Sequence, residues 1–194
     1  AEINDLLVSL AMAGKRVVRL KAGDPLVFGR AGEEMQALRD ADISYEVVPG
    51  VTAAFAAAAD FELPLTLRGV ASSMVFTTGH DLKGASLPDW ARLAIDGATV
   101  AVYMGRSNAA DVALRLIKAG LSPDTGVAVV ENAGQPGRRL LHGTLTDLPA
   151  LAERTELTGP VMTIIGDTVA GARFDRSEPI AAWRNVTADC GAAR

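Results

Sequence analysis

The chain has 194 residues, of which 49% are hydrophobic and 22% charged, and its formal net charge is −4. This ordinary globular usage excludes a disordered chain, and the acidic balance argues against a broad surface for nucleic acid or for an anionic membrane. The single cysteine, Cys190, excludes an internal disulfide. No apolar run is long enough to span a membrane, so we expect a cytoplasmic protein that binds neither nucleic acid nor a membrane.

Residues 1–68 alternate the patterns of helices and strands. An amphipathic helix at the start carries apolar residues at helical spacing and ends at Gly14. The other predicted elements are strands over residues 16–20 and 45–48 and helices over residues 32–41 and 52–61. Because this alternation is typical of a parallel sheet wrapped by helices, residues 1–68 are predicted to form an α/β domain with a parallel sheet.

Residues 69–172 repeat the alternation and form a second predicted α/β domain. Strands are predicted over residues 73–77, 99–104, 126–131, 139–144 and 161–165, and helices over residues 88–95, 108–119 and 147–153. The short Gly/Pro-rich connection before residue 139 favours an antiparallel pair, which makes this second sheet mixed. The domain boundary is placed near residues 66–71, and residues 173–194, which show little periodicity, are predicted to be a loosely packed tail.

Polar or glycine-rich motifs follow the predicted strands, at the ends where open α/β sheets bind ligands. Gly23 lets a ligand approach the main chain closely, and Asp24 can bond polar or cationic ligand groups. Four further motifs of this kind are Pro49-Gly50-Val51-Thr52-Ala53, Thr77-Thr78-Gly79-His80, Tyr103-Met104-Gly105-Arg106 and Glu131-Asn132-Ala133-Gly134. Together they predict one ligand cleft between the two domains, in which Arg19, Lys21 and Arg30 face an anionic group.

Each motif also has a purely structural interpretation. These alternatives are a turn with solvated basic residues at Gly23-Asp24-Pro25, a helix cap at Thr52, a hydrogen-bonded structural histidine at His80, core filling by Met104, and pairing of Glu131 with a cation or a backbone N–H. The sequence lacks the glycine patterns of dinucleotide and P-loop sites, zinc-ligand spacing and a nucleophile elbow. What remains is a cleft that holds its ligand largely by backbone groups.

In this order the motifs resemble the tetrapyrrole methylase family, in particular its members that methylate uroporphyrinogen III. The matching stretches cover about the first 166 positions, and several motifs in one order are far more specific than any single one. They are residues 2–4, 17–25, 28–30, 47–53, 64–66, 78–80, 103–105, 130–132 and 143–145.

The resemblance implies two α/β domains with the ligand cleft between them, S-adenosylmethionine as cofactor with S-adenosylhomocysteine as its product, and a homodimer. It implies methylation of uroporphyrinogen III at two pyrrole rings to give precorrin-2. The family's cofactor contacts fall on Ala22, Gly23, Asp24, Val27, Thr52, Ala53, Met104 and Ala133. Because the substrate carries several carboxylates, the resemblance also gives Arg19, Lys21, Arg30 and Arg106 a role as substrate ligands.

The family opens with a strand, a glycine-rich loop and a segment with the acid/base residues, and this chain starts downstream of their positions. We therefore expect no catalytic acid or base among its residues and inefficient turnover by these 194 residues alone. Ala22 and Ala31 replace family glycines, which is expected to be harmless. The alternatives are a related methylase acting on another tetrapyrrole or on ribosomal RNA, and a non-catalytic cofactor-binding module of a multifunctional sirohaem synthase.

Overall fold

The computed structural model describes residues 2–79 and 89–181. His80, the predicted helix start at Pro88, and Cys190 lie outside the described residues. The chain divides into two compact units, residues 1–53 and 54–194. The predicted boundary near residues 66–71 comes later in the chain, because the sequence gives no sign that the alanine-rich helix is part of the second unit.

The first unit is built around two helices, α1 (Glu2–Met12) and α2 (Ala31–Asp40), which pack against each other. The amide Nδ2 of Asn4 donates to the carbonyl oxygen of Glu33 at 3.3 Å across this pair. Apolar residues at helical spacing predict both helices, and the structure confirms them. α1 nevertheless has no buried residue, and its apolar side chains Leu6 and Met12 are exposed.

The predicted strands over residues 16–20 and 45–48 are wrong for the described part of the chain. Neither segment is a strand, and Val18, Leu20 and Val48 are more than two-thirds exposed. A β-rich sequence becomes a strand only when a neighbouring backbone pairs with its N–H and C=O groups. The described residues supply no such neighbour here, so the predicted parallel sheet of the first domain is absent from residues 2–73.

The second unit contains a six-stranded mixed sheet with the order β1-β2-β5-β3-β4-β6. Strand β5 runs antiparallel to both β2 and β3, whereas β1 and β2 are parallel. The pair β3–β4 is antiparallel, as its short connection predicts, and the mixed sheet is therefore confirmed. The strands are β1 (Met74–Thr78), β2 (Thr99–Tyr103), β3 (Gly126–Glu131), β4 (Arg139–Thr144), β5 (Val161–Ile165) and β6 (Glu178–Pro179).

The core of this unit lies where the sheet packs against three helical segments. Valines of the central strands, including Val100 and Val129, are fully buried with Leu116 and Leu151. The helical segments are α4 (Asp89–Ile95), α5 (Ala109–Lys118) and a 3-10 helix (Leu148–Glu153). An α-helix is predicted over residues 147–153, but the six-residue segment Leu148–Glu153 forms the tighter 3-10 turns that are common in short helical pieces.

The helix α3 (Ala53–Asp60) packs within the second unit. The rings of Phe55 and Phe76 lie 5.8 Å apart, and the N–H of Arg173 donates to the carbonyl of Phe61 at 3.0 Å. Phe174 packs on Phe61. Ile180 is 1% exposed and belongs to the core, so the prediction of a loose tail is wrong for residues 173–181.

Candidate functional site

Two predicted cofactor loops meet in the first unit through the carboxylate of Asp24. Its Oδ1 accepts the N–H of Leu26 at 2.8 Å, which closes its own turn, and its Oδ2 accepts the N–H of Gly50 at 3.0 Å. Residues that are 26 positions apart are thereby joined by a charge-assisted hydrogen bond. The carboxylate holds the Gly23-Asp24-Pro25 turn against the Pro49-Gly50 turn.

The same two turns touch backbone to backbone, which only glycine permits. A Cβ on Gly50 would lie 2.3 Å from the carbonyl oxygen of Gly23. Gly23 itself has φ +70°, a conformation that other residues rarely adopt, and an added Cβ would lie 3.7 Å from the N–H nitrogen of Ala53 and 3.8 Å from the Cα of Thr52. This arrangement is a small recess lined by main chain, of the kind that suits a ligand held by backbone groups.

Hydrogen bonding lowers the pKa of Asp24. The bond from the Gly50 N–H has the largest effect, followed by the bond from Leu26; partial burial opposes them, and Val27 adds a smaller contribution. A carboxylate whose folded pKa lies below its unfolded value stabilises the fold above that unfolded value, about 3.9, and loses this effect as the pH falls through the folded pKa.

We therefore expect Asp24→Asn to lower the melting temperature at pH 7, because an amide can accept only one of the two N–H groups. The difference between parent and variant should begin to shrink below about pH 4 and disappear as the pH falls through the lowered pKa of the folded parent, where its carboxylate becomes protonated. Thermal unfolding from pH 3 to pH 7 measures this. A melting difference that does not change with pH would contradict the role of the charge.

The predicted substrate cations Arg19 and Lys21 are paired with Glu34 on α2. The Glu34 oxygens lie 3.0 Å from Arg19 Nε and 2.9 Å from Lys21 Nζ. Burial alone would raise the pKa of Glu34, but the hydrogen bonds from Lys21 and then Arg19 outweigh it and lower that pKa below its usual value. Lys21 also donates to the carbonyl of Gly29, so its ammonium is engaged within the fold.

Arg30 is far more open than either of these cations. Its side chain is 79% exposed, and its Nη2 lies 2.8 Å from a carboxylate oxygen of Glu33, which is itself exposed. Exposed ion pairs of this kind contribute little stability and exchange readily with other anions. Of the predicted substrate cations in the first unit, Arg30 is the one that an incoming carboxylate reaches at the lowest cost.

In the second unit the carboxyl ends of β1, β2 and β3 lie at one edge of the sheet, because these three strands point the same way. The turns after β1 and β2 touch there: a Cβ on Gly79 would lie 2.7 Å from the Cα of Gly105. The amide of Asn108 locks this contact by donating to the carbonyl of Gly79 at 2.6 Å. The turns after β1 and β2 are therefore adjacent, whereas a common cleft that also includes the motif after β3 stays a prediction.

The two predicted cofactor positions at this edge sit beside strained backbone. Met104 has φ +51° and Asn132, which precedes Ala133, has φ +54°. A left-handed conformation at such residues is costly and persists where the surroundings fix it, often at ligand sites. Met104 is 47% exposed, so it does not fill the core.

Glu131 and Arg106 both serve contacts within the second unit. Buried Glu131 accepts the N–H of Gly159 at 2.6 Å, which confirms that it pairs with a backbone N–H. Arg106 donates to the carbonyl of Leu157, and to that of Arg154 at 2.8 Å. As a substrate ligand, Arg106 remains a prediction that has to compete with these two carbonyls.

Sequence reasoning missed the side chains that hold the site loops in place. Glu34 balances two of the predicted cations, Asn108 joins two strand ends, and Asp60 bonds the loop that carries Ala133. Each acts on a residue at least 13 positions away, so no local spacing signals it. For Asn108 a signal does exist, because a polar amide at the start of α5 lies directly behind the Gly105-Arg106 turn.

A family model described as Tetrapyrrole (Corrin/Porphyrin) Methylases matches residues 1–149. The uroporphyrinogen-III C-methyltransferase of Paracoccus denitrificans is 45% identical over 172 residues, which are 88% of this chain and 60% of that protein. A siroheme synthase of Gluconacetobacter diazotrophicus is 46% identical over 169 residues, 87% of this chain. The chain spans only 36% of the length of that siroheme synthase.

Solved structures show the same fold. The uroporphyrin-III C-methyltransferase of Thermus thermophilus, complexed with S-adenyl homocysteine, gives a TM-score of 0.73 at 37% identity, covering 88% of this chain and 74% of that one. A cobalt precorrin-4 methyltransferase gives 0.77 at 30% identity, covering 87% and 71%. The predicted α/β class is confirmed, and no helix in the described ranges is both long and apolar enough to cross a bilayer. With its family model, its relatives and its strand-end motifs in agreement, the chain belongs to the tetrapyrrole methylase family.

Proposed function

We propose that this chain is the cofactor-binding and part of the substrate-binding region of an S-adenosylmethionine-dependent methyltransferase acting on uroporphyrinogen III. The observation that carries the proposal is the backbone recess formed by the Gly23 and Gly50 turns and fixed by Asp24. Its residues are among the positions for which the sequence resemblance predicts contacts with the cofactor. The similarity to a uroporphyrinogen-III C-methyltransferase at 45% identity supports the choice of substrate.

The main-chain groups and small residues around the recess are of the kind that can bind the cofactor without a large side chain intervening. We propose that Ala22, Gly23, Asp24, Val27, Thr52 and Ala53 hold the cofactor in the first unit, and that Met104 and Ala133 hold it in the second. The bound cofactor supplies an electrophilic methyl group on a sulfonium, which is a good leaving group. The residues of this chain therefore bind and orient it and exclude water, and no nucleophilic side chain is required of them.

The substrate presents carboxylates, and the exposed Arg30 is their most accessible ligand among the predicted cations of the first unit. We propose that Arg19, Lys21 and Arg106 add to this binding after exchanging their protein partners. We further propose two successive methylations at two pyrrole rings, with precorrin-2 as the product. We also propose that the protein forms a homodimer and is located in the cytoplasm.

Arg30→Ala is expected to raise the KM for uroporphyrinogen III by about tenfold, since a charge-assisted hydrogen bond to a carboxylate is lost. The affinity for S-adenosylhomocysteine should stay within about twofold of the parent, because Arg30 contacts Glu33 and not the backbone recess. Steady-state kinetics and calorimetry measure the two quantities. An equal loss of both would show that Arg30 acts on the fold.

The proposed function is tested by incubating the purified full-length protein with uroporphyrinogen III and S-adenosylmethionine and measuring the mass of the product by mass spectrometry. A mass gain of two methyl groups supports the proposal, and a gain of one limits the enzyme to a single methylation. Binding of S-adenosylhomocysteine without any methyl transfer would favour the non-catalytic module of a sirohaem synthase. Sedimentation of the same sample tests the proposed homodimer.

A second candidate is a methylase that acts on a later tetrapyrrole. The observation in its favour is the TM-score of 0.77 against the cobalt precorrin-4 methyltransferase, although the identity there is only 30%. Transfer to that class of substrate with none to uroporphyrinogen III would favour it.

A further inference from the structure

The carboxylate of Asp60, the last residue of α3, binds the loop between β3 and β4 (residues 132–138) through a hydrogen bond and an ion pair. Its Oδ2 accepts the N–H of Gly134 at 2.8 Å, and its Oδ1 lies 2.7 Å from Nε of Arg138. The Asp60 side chain is 10% exposed, whereas that of its partner Arg138 is 44% exposed. A largely buried carboxylate with two charge-assisted partners is a strong anchor for a loop.

The hydrogen bond from the Gly134 N–H to Asp60 also fixes the orientation of the peptide unit that joins Ala133 to Gly134. The peptide unit between Ala133 and Gly134 is planar and trans, so an N–H aimed at Asp60 turns the carbonyl of Ala133 the opposite way. Gly134 has φ +70°, and a Cβ there would lie 3.2 Å from the Cβ of Ala56, which shows how closely the loop lies on α3.

The other side of Ala133 is held independently. The N–H of Asn132 donates to the carbonyl of Pro160 at 2.9 Å, and the preceding Glu131 accepts the N–H of Gly159. These bonds tie the start of the loop to the chain just before β5. The N–H of Gln135 also donates to the carbonyl of Asn132 at 2.9 Å and closes the turn around Ala133. Asp60 adds the side-chain bond on the far side of Ala133, and it alone holds the N–H of the Ala133–Gly134 peptide among the described contacts.

We propose that Asp60 is a positioning residue for the cofactor, because it orients the Ala133 peptide that the proposed function places against S-adenosylmethionine. The inference rests on that proposed function. It assigns Asp60 no contact with substrate or cofactor. What it predicts is a loss of cofactor affinity that exceeds any effect on the chemistry.

The test measures S-adenosylhomocysteine affinity by calorimetry, and KM for S-adenosylmethionine and kcat by steady-state kinetics, in the purified full-length protein. Asp60→Ala is expected to weaken binding and to raise this KM by about tenfold, the usual cost of losing one charge-assisted hydrogen bond. The kcat should stay within about twofold, because the reacting atoms are untouched once the cofactor is bound. Asp60→Glu, which keeps the carboxylate, should restore part of the affinity.

Two matched variants separate positioning from stability. Arg138→Met removes the ion pair but leaves the bond to Gly134, so affinity should change by less than about twofold. Glu62 lies two positions after Asp60 and forms an exposed ion pair with Arg173. Glu62→Ala removes this pair and should not alter the affinity for S-adenosylhomocysteine. If Asp60→Ala has a lower melting temperature but binds S-adenosylhomocysteine with the affinity of the parent, the inference is overturned while the proposed function stands. No S-adenosylhomocysteine binding by the parent protein would overturn both.

Discussion

Replacing Gly50 by alanine is expected to abolish measurable binding of S-adenosylhomocysteine and to lower the free energy of unfolding by about 2 kcal/mol. The added Cβ would lie 2.3 Å from the carbonyl oxygen and 3.1 Å from the carbonyl carbon of Gly23. Both are backbone atoms, so no side-chain rotation relieves the overlap. The two turns have to separate, and the recess that they form is distorted.

This variant isolates a steric effect. Gly50 is outside the positive-φ region, so alanine can adopt its backbone conformation, and the N–H that donates to Asp24 is retained. The matched control is Gly32→Ala in α2, where no described atom lies within 4 Å of the new Cβ. Alanine there should be neutral or stabilise the helix by up to about 1 kcal/mol. Parental cofactor affinity in Gly50→Ala would show that the paired turns are not part of the cofactor site.

The sequence predicts an element well where its local pattern and its partner lie in the same segment. The bounds of β3 and β4 come out as the structure has them, because a short turn brings the second strand directly back onto the first. Residues 16–20 have an equally strand-like pattern, yet no described neighbour pairs with them. The residue pattern of a segment indicates its preference for strand conformation. A strand also needs a neighbouring strand to pair with, and the segment's own residues do not show whether that neighbour is present.

The candidate site shows the same division. That Gly23 and Gly50 belong to one site is predicted from their positions after strand-like segments, and their backbone contact within the first unit agrees with it. Whether each cation is buried in an ion pair or open to solvent is not predictable from the sequence in this way. Both cations pair with carboxylates of α2, but Lys21 and its partner Glu34 are largely buried, whereas Arg30 and its partner Glu33 are open to solvent. Such pairings depend on where a helix packs.

The second large effect is expected for Arg154→Met, which should lower the free energy of unfolding by about 3 kcal/mol. The guanidinium side chain is 6% exposed and donates to Glu178 at 2.7 Å and to the carbonyl of Pro179 at 2.9 Å. It also pairs with Glu156. Methionine fills a similar volume but leaves these acceptors without their donor, so β6 loses its main polar attachment.

For a protein of this size the melting temperature should fall by roughly 6–12 °C. Exchange of the Ile180 amide, which donates to the carbonyl of His142 at 2.8 Å, should accelerate before the global transition, because residues 178–181 detach first. Arg139→Met is the matched control, since Arg139 pairs with the same two carboxylates at 3.3 and 3.7 Å but is about a third exposed. Its cost should be less than 1 kcal/mol, roughly that of a surface ion pair. Equal melting temperatures for the two variants would mean that the carbonyl bonds of Arg154 do not hold residues 178–181 to the sheet.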